Sequence, residues 1–182
     1  MNLFCGFEPF HIIKWLGGMS SPCGTYVYGV PGHARRVVRV DTSTAEVDFI
    51  GPEFPGEFKW LRGVEVPPSA EGGAGCCLAL PCCAEGGKVL KIEPDTSRVT
   101  AFSAETGPSG DDGDGDRGWL YHGGNLGSDG LVYAVPACAS RVLKIDPLRE
   151  TAARVGLRFD GDAKWYGSLM GSDSCIYGIP HK

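Results

Sequence analysis

The four tryptophans of the chain lie in similar local sequences at long, regular intervals. They occur in Lys14-Trp15-Leu16, Lys59-Trp60-Leu61, Gly118-Trp119-Leu120 and Lys164-Trp165-Tyr166, so that successive tryptophans are 45, 59 and 46 residues apart. A period of this size indicates repeated supersecondary units, each too small to bury its apolar face alone. This repeat constrains the fold of the 182-residue chain more than any other feature of its sequence.

Two further patterns recur at fixed places in the units. An apolar run closed by proline follows each tryptophan, at 26–31, 76–81, 131–136 and 175–180. A hexad of basic, apolar, apolar, basic, apolar and acidic residues follows three of these runs, at 36–41, 88–93 and 141–146. The patterns predict a single repeat domain over 1–182, with units at about 14–58, 59–117 and 118–163 and a partial unit formed by 164–182 with 1–13.

Each unit has the sequence pattern of four short strands. The tryptophan segment, the proline-closed run, the alternating hexad and a short apolar run that ends at Gly51 or Gly156 are separated by turn-forming residues, and no stretch has helical periodicity. The chain contains 28 glycines, as many tight turns require. The predicted fold is therefore all-β, a β-propeller-type array of about three and a half four-stranded antiparallel blades.

The partial unit leaves two arrangements open. In one, the array closes as a small four-bladed ring in which the segment Leu3 to Gly6, aligned with the fourth strand, pairs into the blade at 164–182. In the other, the array is an open partial propeller whose free edge pairs with another chain or with further sequence, because exposed strand edges promote association. We favour the open array, since the last unit stops immediately before its hexad.

The motifs resemble known propeller repeats. The order Lys-Trp-Tyr-Gly at 164–167, Gly-Ser-Asp-Ser-Cys-Ile-Tyr-Gly-Ile-Pro at 171–180 and Arg-Val-Leu-Lys-Ile-Asp-Pro at 141–147 resembles the propeller repeats of algal and other protist proteins, related to kelch-like and lyase-like propellers. The resemblance covers nearly the whole chain and implies the fold. It implies little about function, because propellers carry both binding modules and unrelated enzymes.

Composition narrows the class of partner and the compartment. The formal net charge is −5, which argues against a nucleic-acid or anionic-membrane surface. No apolar run is long enough to span a membrane, and residues 1–10 do not have the pattern of a secretion signal. We therefore expect an intracellular, soluble protein with reduced thiols among its eight cysteines, in the cytoplasm or an organelle interior.

The tryptophans and their neighbouring lysines are the first candidate site. If the units surround one axis, equivalent residues lie on one face and form an aromatic and basic surface for a ligand or partner: Trp15, Trp60, Trp119, Trp165, Lys14, Lys59 and Lys164. The alternative is that tryptophan packs as part of the core in every repeat, which is the usual reason for a residue to recur.

A second candidate is a metal site. His33, Cys83 and Cys138 each lie two residues after a strand-closing proline, so they share one column, and imidazole and thiolate are zinc ligands. The alternative is that the cysteines are small apolar core residues. The acidic segment 111–116 resembles the start of a calcium loop, but it lacks the glycine and the final glutamate of an EF-hand, and an insertion between blades accounts for it better.

The expected function is non-catalytic. No nucleophile elbow, His-Glu-x-x-His motif or phosphate loop occurs, and no cofactor is predicted apart from the possible divalent metal. The sequence predicts a protein-binding or scaffold module, an accessory subunit that docks to a larger assembly through a blade face or an open strand edge. The alternative is a metal-dependent propeller lyase or hydrolase that acts on a small molecule through the His33 face.

Overall fold

A computed structural model describes residues 14–69, 72–83, 87–105 and 118–181, and these residues form strands and turns without any helix. The described residues thus contain no helix that could cross a membrane. The strands are β1 (Trp15–Ser20), β2 (Tyr26–Pro31), β3 (Val37–Asp41), β4 (Val47–Ile50), β5 (Trp60–Val66), β6 (Cys76–Pro81), β7 (Val89–Glu93), β8 (Arg98–Phe102), β9 (Ala104–Glu105), β10 (Tyr121–Leu126), β11 (Val132–Pro136), β12 (Val142–Asp146), β13 (Thr151–Val155), β14 (Trp165–Met170) and β15 (Ile176–Pro180).

The strands form four sheets, which we number as blades 1 to 4 in chain order. Blades 1 and 2 contain β1–β4 and β5–β8, each paired in sequence order, and blade 3 contains β10–β13 in the same arrangement. Blade 4 contains only β14 and β15. The first strands β1, β5, β10 and β14 contact one another in that order, so the described blades form an open propeller-type arc. The predicted all-β propeller-type fold is confirmed.

Blade 3 has a fifth strand that the repeat pattern did not predict. β9 follows the last strand of blade 2, yet it pairs in parallel with β13 at the outer edge of blade 3. The 59-residue interval between Trp60 and Trp119 therefore includes a strand, β9, that connects the end of blade 2 to the outer edge of blade 3. The acidic segment 111–116 and the segment Leu3 to Gly6 lie outside the described residues.

Each blade meets the next through one repeated hydrogen bond. The backbone N–H of the residue before the first strand donates to the carbonyl of the residue after the strand-closing proline in the preceding blade. These donor–acceptor pairs are Lys59 to Gly32 (3.2 Å), Leu120 to Cys82 (2.7 Å) and Lys164 to Ala137 (3.0 Å). The apolar residues of neighbouring blades then face each other in two clusters, one between blades 1 and 2 and one between blades 2 and 3.

The aspartate that ends the first and third hexads shapes the turn before the fourth strand. The Asp41 carboxylate accepts hydrogen bonds from the backbone N–H groups of Ser43 and Thr44, and Asp146 accepts them from Leu148 and Arg149. Hydrogen bonds of this type favour turns over continued strand. In these two hexads the sixth residue is therefore a turn residue.

Candidate functional site

The tryptophan column joins the first strand of a blade to its third. The Trp15 indole donates to the carbonyl of Arg36 at 3.2 Å, and the Trp60 indole donates to that of Lys88 at 2.8 Å. Both acceptors are the first residue of a hexad. Trp60 is buried, so its indole lies in the core of blade 2.

Strand register corrects the place of Trp119. Trp15, Trp60 and Trp165 pair with Pro31, Pro81 and Pro180, and in blade 3 the residue that pairs with the closing proline, Pro136, is Tyr121. The Tyr121 hydroxyl donates to the carbonyl of Arg141, the first residue of the third hexad, at 3.2 Å. Tyr121 thus replaces tryptophan in this column. The prediction that all four tryptophans are equivalent was wrong for Trp119, which lies two residues earlier.

Two of the lysines before the tryptophans, Lys59 and Lys164, bind backbone carbonyls. Lys59 is 4% exposed, and its ammonium donates to the carbonyls of Gly32, Ala34 and Gly56 at 2.8–3.0 Å. Burial lowers the pKa of Lys59. Lys164 makes the corresponding bond to the carbonyl of Gly161 at 2.6 Å. These bonds hold the connections that lead into β5 and β14.

The structure distributes the predicted site residues over separate clefts. Lys14, Trp15 and His33 line one cleft of about 390 Å³. Lys59, Trp60 and Cys83 line another of about 780 Å³. The aromatic and basic surface predicted from the column is therefore divided blade by blade, with Trp119 outside the column.

The candidate metal ligands do not form one group. The His33 ring contacts Phe58 edge-on at 4.2 Å between ring centroids, and the Cys83 thiol donates to the carbonyl of Gly118 at 3.1 Å. Cys138 lies near Gly118 as well. Within the described ranges, no three His, Cys, Asp or Glu side chains are placed so that they could hold a metal ion.

A row of aromatic and imidazole rings crosses from blade 3 to blade 4, and sequence reasoning missed it. Trp119 contacts His122 at 4.8 Å between centroids, His122 stacks on Tyr166 at 3.9 Å, and Tyr166 contacts His181 at 5.1 Å. His122 is 3% exposed, and neither of its ring nitrogens has a hydrogen-bond partner among the described residues. Burial, and then the positive charge of Arg62, lower the pKa of His122.

Blade 4 exposes apolar surface that the other blades bury. The exposed side chains are Tyr166, Leu169, Met170, Tyr177 and Ile179. Beyond β15 no further strand of the described chain pairs with the sheet. The Tyr177 hydroxyl donates to Asp173 at 2.7 Å, which lowers the pKa of that carboxyl. Among the described blades, blade 4 has the most exposed large apolar side chains, and it is therefore the candidate site.

Solved structures that this chain matches over most of its length include propeller-like proteins, such as a lyase and WD40 repeats. Virginiamycin B lyase from Staphylococcus aureus, solved with quinupristin, is 12% identical with a TM-score of 0.59, over 91% of this chain and 55% of that chain. Hydrazine synthase from Kuenenia stuttgartiensis is 16% identical with a TM-score of 0.56, over 93% of this chain and 42% of that one. The WD40 repeats of RRP9 are 12% identical with a TM-score of 0.53, over 85% and 42%.

These similarities establish the fold alone, because the identities are low and propellers serve unrelated functions. The chain spans about half the length of the structures that it matches. No protein-family model matches the sequence. No curated protein matches it either.

Proposed function

We propose that this protein is a non-catalytic protein-binding module, an accessory subunit that docks to a larger assembly through the open edge of blade 4. The observation that carries the proposal is the contrast within one repeat. Blades 1 to 3 pair their second strand on both sides, whereas β15 pairs only with β14 in the described chain.

An unpaired strand edge offers both backbone and side-chain groups for protein binding. Its free backbone groups can hydrogen bond to an incoming strand, and its alternating side chains give specificity. The exposed Leu169, Tyr177 and Ile179 add apolar area next to that edge. Burial of apolar side chains is worth roughly 1.5–3 kcal/mol each, so a partner that covers them gains substantial free energy.

The proposed partner surface also includes Trp119. Trp119, which is 38% exposed, is the first ring of the row that leads through His122 to Tyr166 on blade 4. The net charge of −5 favours a protein partner over a nucleic acid. The free cysteines of the described chain support a reducing, intracellular compartment. We also propose that the hexad repeats belong with the protist propeller repeats that they resemble.

The lyase or hydrolase alternative has weaker support. A lyase is among the similar structures, but the low identity carries no activity to this chain. His33 and Cys83, which that alternative would use, engage Phe58 and the Gly118 carbonyl instead of converging on a common centre. The protein-binding proposal, by contrast, is supported by the exposed apolar side chains of blade 4.

Site-specific photo-crosslinking tests the proposal. A benzoylphenylalanine placed at Ile179 on the open edge should give a discrete crosslinked product in cells that make the protein. The same group at Asp95, exposed in a turn of blade 2, serves as the control and should not give it. The proposal fails if Ile179 gives no product, or if Asp95 gives the same product.

A further inference from the structure

We propose that His122 makes the packing of blade 4 on blade 3 sensitive to pH, so that acid loosens β14 from β10. The basis is a buried imidazole without hydrogen-bond partners, at a position that is apolar or aromatic elsewhere in the repeat. The inference goes beyond the proposed function, since it concerns contacts between two blades of one chain and its test needs no partner.

His122 occupies a column of the repeat that is otherwise filled by rings or aliphatic side chains. It follows Tyr121, the residue of β10 that pairs with the closing proline of blade 3. At the same place in blades 1, 2 and 4 stand Leu16, Leu61 and Tyr166. Of these four residues, only the histidine gains a charge near neutral pH.

Rings from blades 3 and 4 enclose the His122 side chain. It is 3% exposed, stacks on Tyr166 at 3.9 Å between centroids, and contacts Trp119 at 4.8 Å. Both ring nitrogens are buried, and neither has a hydrogen-bond partner in the part of the chain that the structure describes. Because these contacts already bury the imidazole, its environment does not depend on any further blade.

The backbones of β10 and β14 approach closely beside His122. A Cβ added at Gly123 would lie 3.3 Å from the Cα of Gly167, and one added at Gly167 would lie 3.7 Å from the carbonyl oxygen of His122. Both glycines are buried. A bridging water needs space and several polar partners. Solvation of a charged imidazole here therefore requires the two strands to separate.

Protonation leaves His122 with two unpaired donors. Another polar pair across the same strands is satisfied, since the Asn125 amide donates to the Ser168 hydroxyl at 2.6 Å. A neutral imidazole has one donor and one acceptor, whereas the imidazolium has two donors and a charge. An unpaired charge costs far more to bury than an unpaired neutral group. The packed arrangement thus favours the neutral ring.

The groups that face His122 supply no negative charge. They are Arg62 from β5, Tyr166 from β14 and His181 after β15, while the segment before β10 contributes the Trp119 ring. No carboxylate of the described residues acts on His122. An imidazolium would be attracted to the Tyr166 ring, but Arg62 already lies over that ring, 6.0 Å from its centroid.

The direction of the pH effect follows from the pKa of His122. Burial lowers that pKa most, and the positive charges of Arg62 and His181 lower it further, against a smaller opposite effect of the residue's own backbone. Histidine in an opened chain has a pKa of about 6.5. The opened form therefore binds the proton more tightly, so packing is strongest above about pH 6.5 and weakens as the pH falls below it.

Hydrogen exchange of the full chain tests the inference. After correction for intrinsic exchange rates, the opening equilibrium of β14 at 165–170 should rise about 5- to 10-fold between about pH 7.5 and pH 5.5, because opening takes up one proton. The buried strand β6 at 76–81 should not show this rise, since it lies in blade 2.

Matched variants assign the effect to His122. His122→Leu introduces the residue that blade 2 has in this column, and His122→Tyr introduces that of blade 4. Both should remove the rise at 165–170. His181→Leu removes a neighbouring histidine of the same ring row and should keep most of the rise. A rise of the same size in the His122 variants, or an equal rise at 76–81, overturns the inference.

NMR titration of the wild-type imidazole provides a measurement that requires no variant to fold. The ring resonances of His122 should titrate below about pH 6.5, the value for an unperturbed histidine. The resonances of Tyr166 should change over the same pH range. A His122 that titrates at or above the unperturbed value overturns the inference even if neither variant folds.

Discussion

Blades 2 and 4 are copies of one repeat with opposite relations to solvent. Every residue of β6 is buried, whereas β15, at the same place in its blade, is exposed or half-buried along its whole length. Blade 2 lies between two neighbours and contributes to both core clusters. The comparison teaches that burial in this fold depends on which neighbours a blade has, more than on its own residues.

The largest expected effect comes from the residue before the closing proline. Leu80 is fully buried against blade 3, and its counterpart in blade 4, Ile179, is 44% exposed. Leu80→Ala should lower the free energy of unfolding by about 2–5 kcal/mol, because it leaves a cavity. Ile179→Ala should cost under about 1 kcal/mol. Urea denaturation of both variants measures the difference, and similar losses would contradict the assigned burial.

A smaller effect is expected where two first strands approach closely. Gly17 has φ +91°, and a Cβ added there would lie 2.6 Å from the backbone oxygen of Leu61 in blade 2. Gly167 has nearly the same φ, +93°, but its added Cβ would lie 3.7 Å from the nearest oxygen. Gly17→Ala should therefore cost about 3 kcal/mol and Gly167→Ala about 1 kcal/mol.

Thermal unfolding of these two alanine variants provides the measurement. The wild-type chain is the reference, and far-ultraviolet circular dichroism shows whether each variant keeps its sheets. Equal shifts of the midpoint would mean that the left-handed backbone alone sets the cost and that the contact between blades 1 and 2 is unimportant.

The smallest effect on stability is expected from alkylation of Cys175, which occupies the same repeat position as Cys76. Burial raises the pKa of Cys76 to about 11, and Cys175 is exposed, with a pKa raised by the charge of Asp173. Iodoacetamide should modify Cys175 at least roughly 100-fold faster than Cys76 at pH 8, because only an accessible thiolate reacts. Both rates should rise with pH, and modification of Cys175 should leave the unfolding midpoint unchanged.

Peptide mapping by mass spectrometry resolves the two sites. Cys175→Ser removes the fast site and serves as the control. Fast modification of Cys76 in the folded protein would show that blade 2 opens readily and would weaken the contrast with blade 4.

Most of the fold could be predicted from residues that recur at equivalent positions of the repeats. The main error, the assignment of Trp119, lies just after the longest unit, 59–117. The markers placed the second strands of all four blades and the third strands of blades 1 to 3, because alternation and turn residues act locally. They did not predict β9, and in blade 3 the first strand begins at Tyr121 instead of Trp119. Matching by residue type assigned Trp119 to the column that Tyr121 occupies. The two are interchangeable there because both an indole N–H and a phenol O–H can donate to the hexad carbonyl.

The candidate site was less predictable. Lys59 had the pattern of an exposed basic residue, yet it is buried because three carbonyls converge on its ammonium. The ring row through Trp119, His122 and Tyr166 combines residues from different columns and blades. Such contacts depend on the packing angle between blades. The spacing of residues within one unit does not determine that angle, so the contacts could not be predicted from it.

By itself, the sequence determined the repeating unit: four strands, their order, and the polar residues of each turn, since these arise from short-range backbone and side-chain preferences. The tertiary structure decided which copies of the unit are buried, because an apolar column enters the core only where another blade packs on it. It also decided that β9 joins blade 3, which no pattern within a unit predicted.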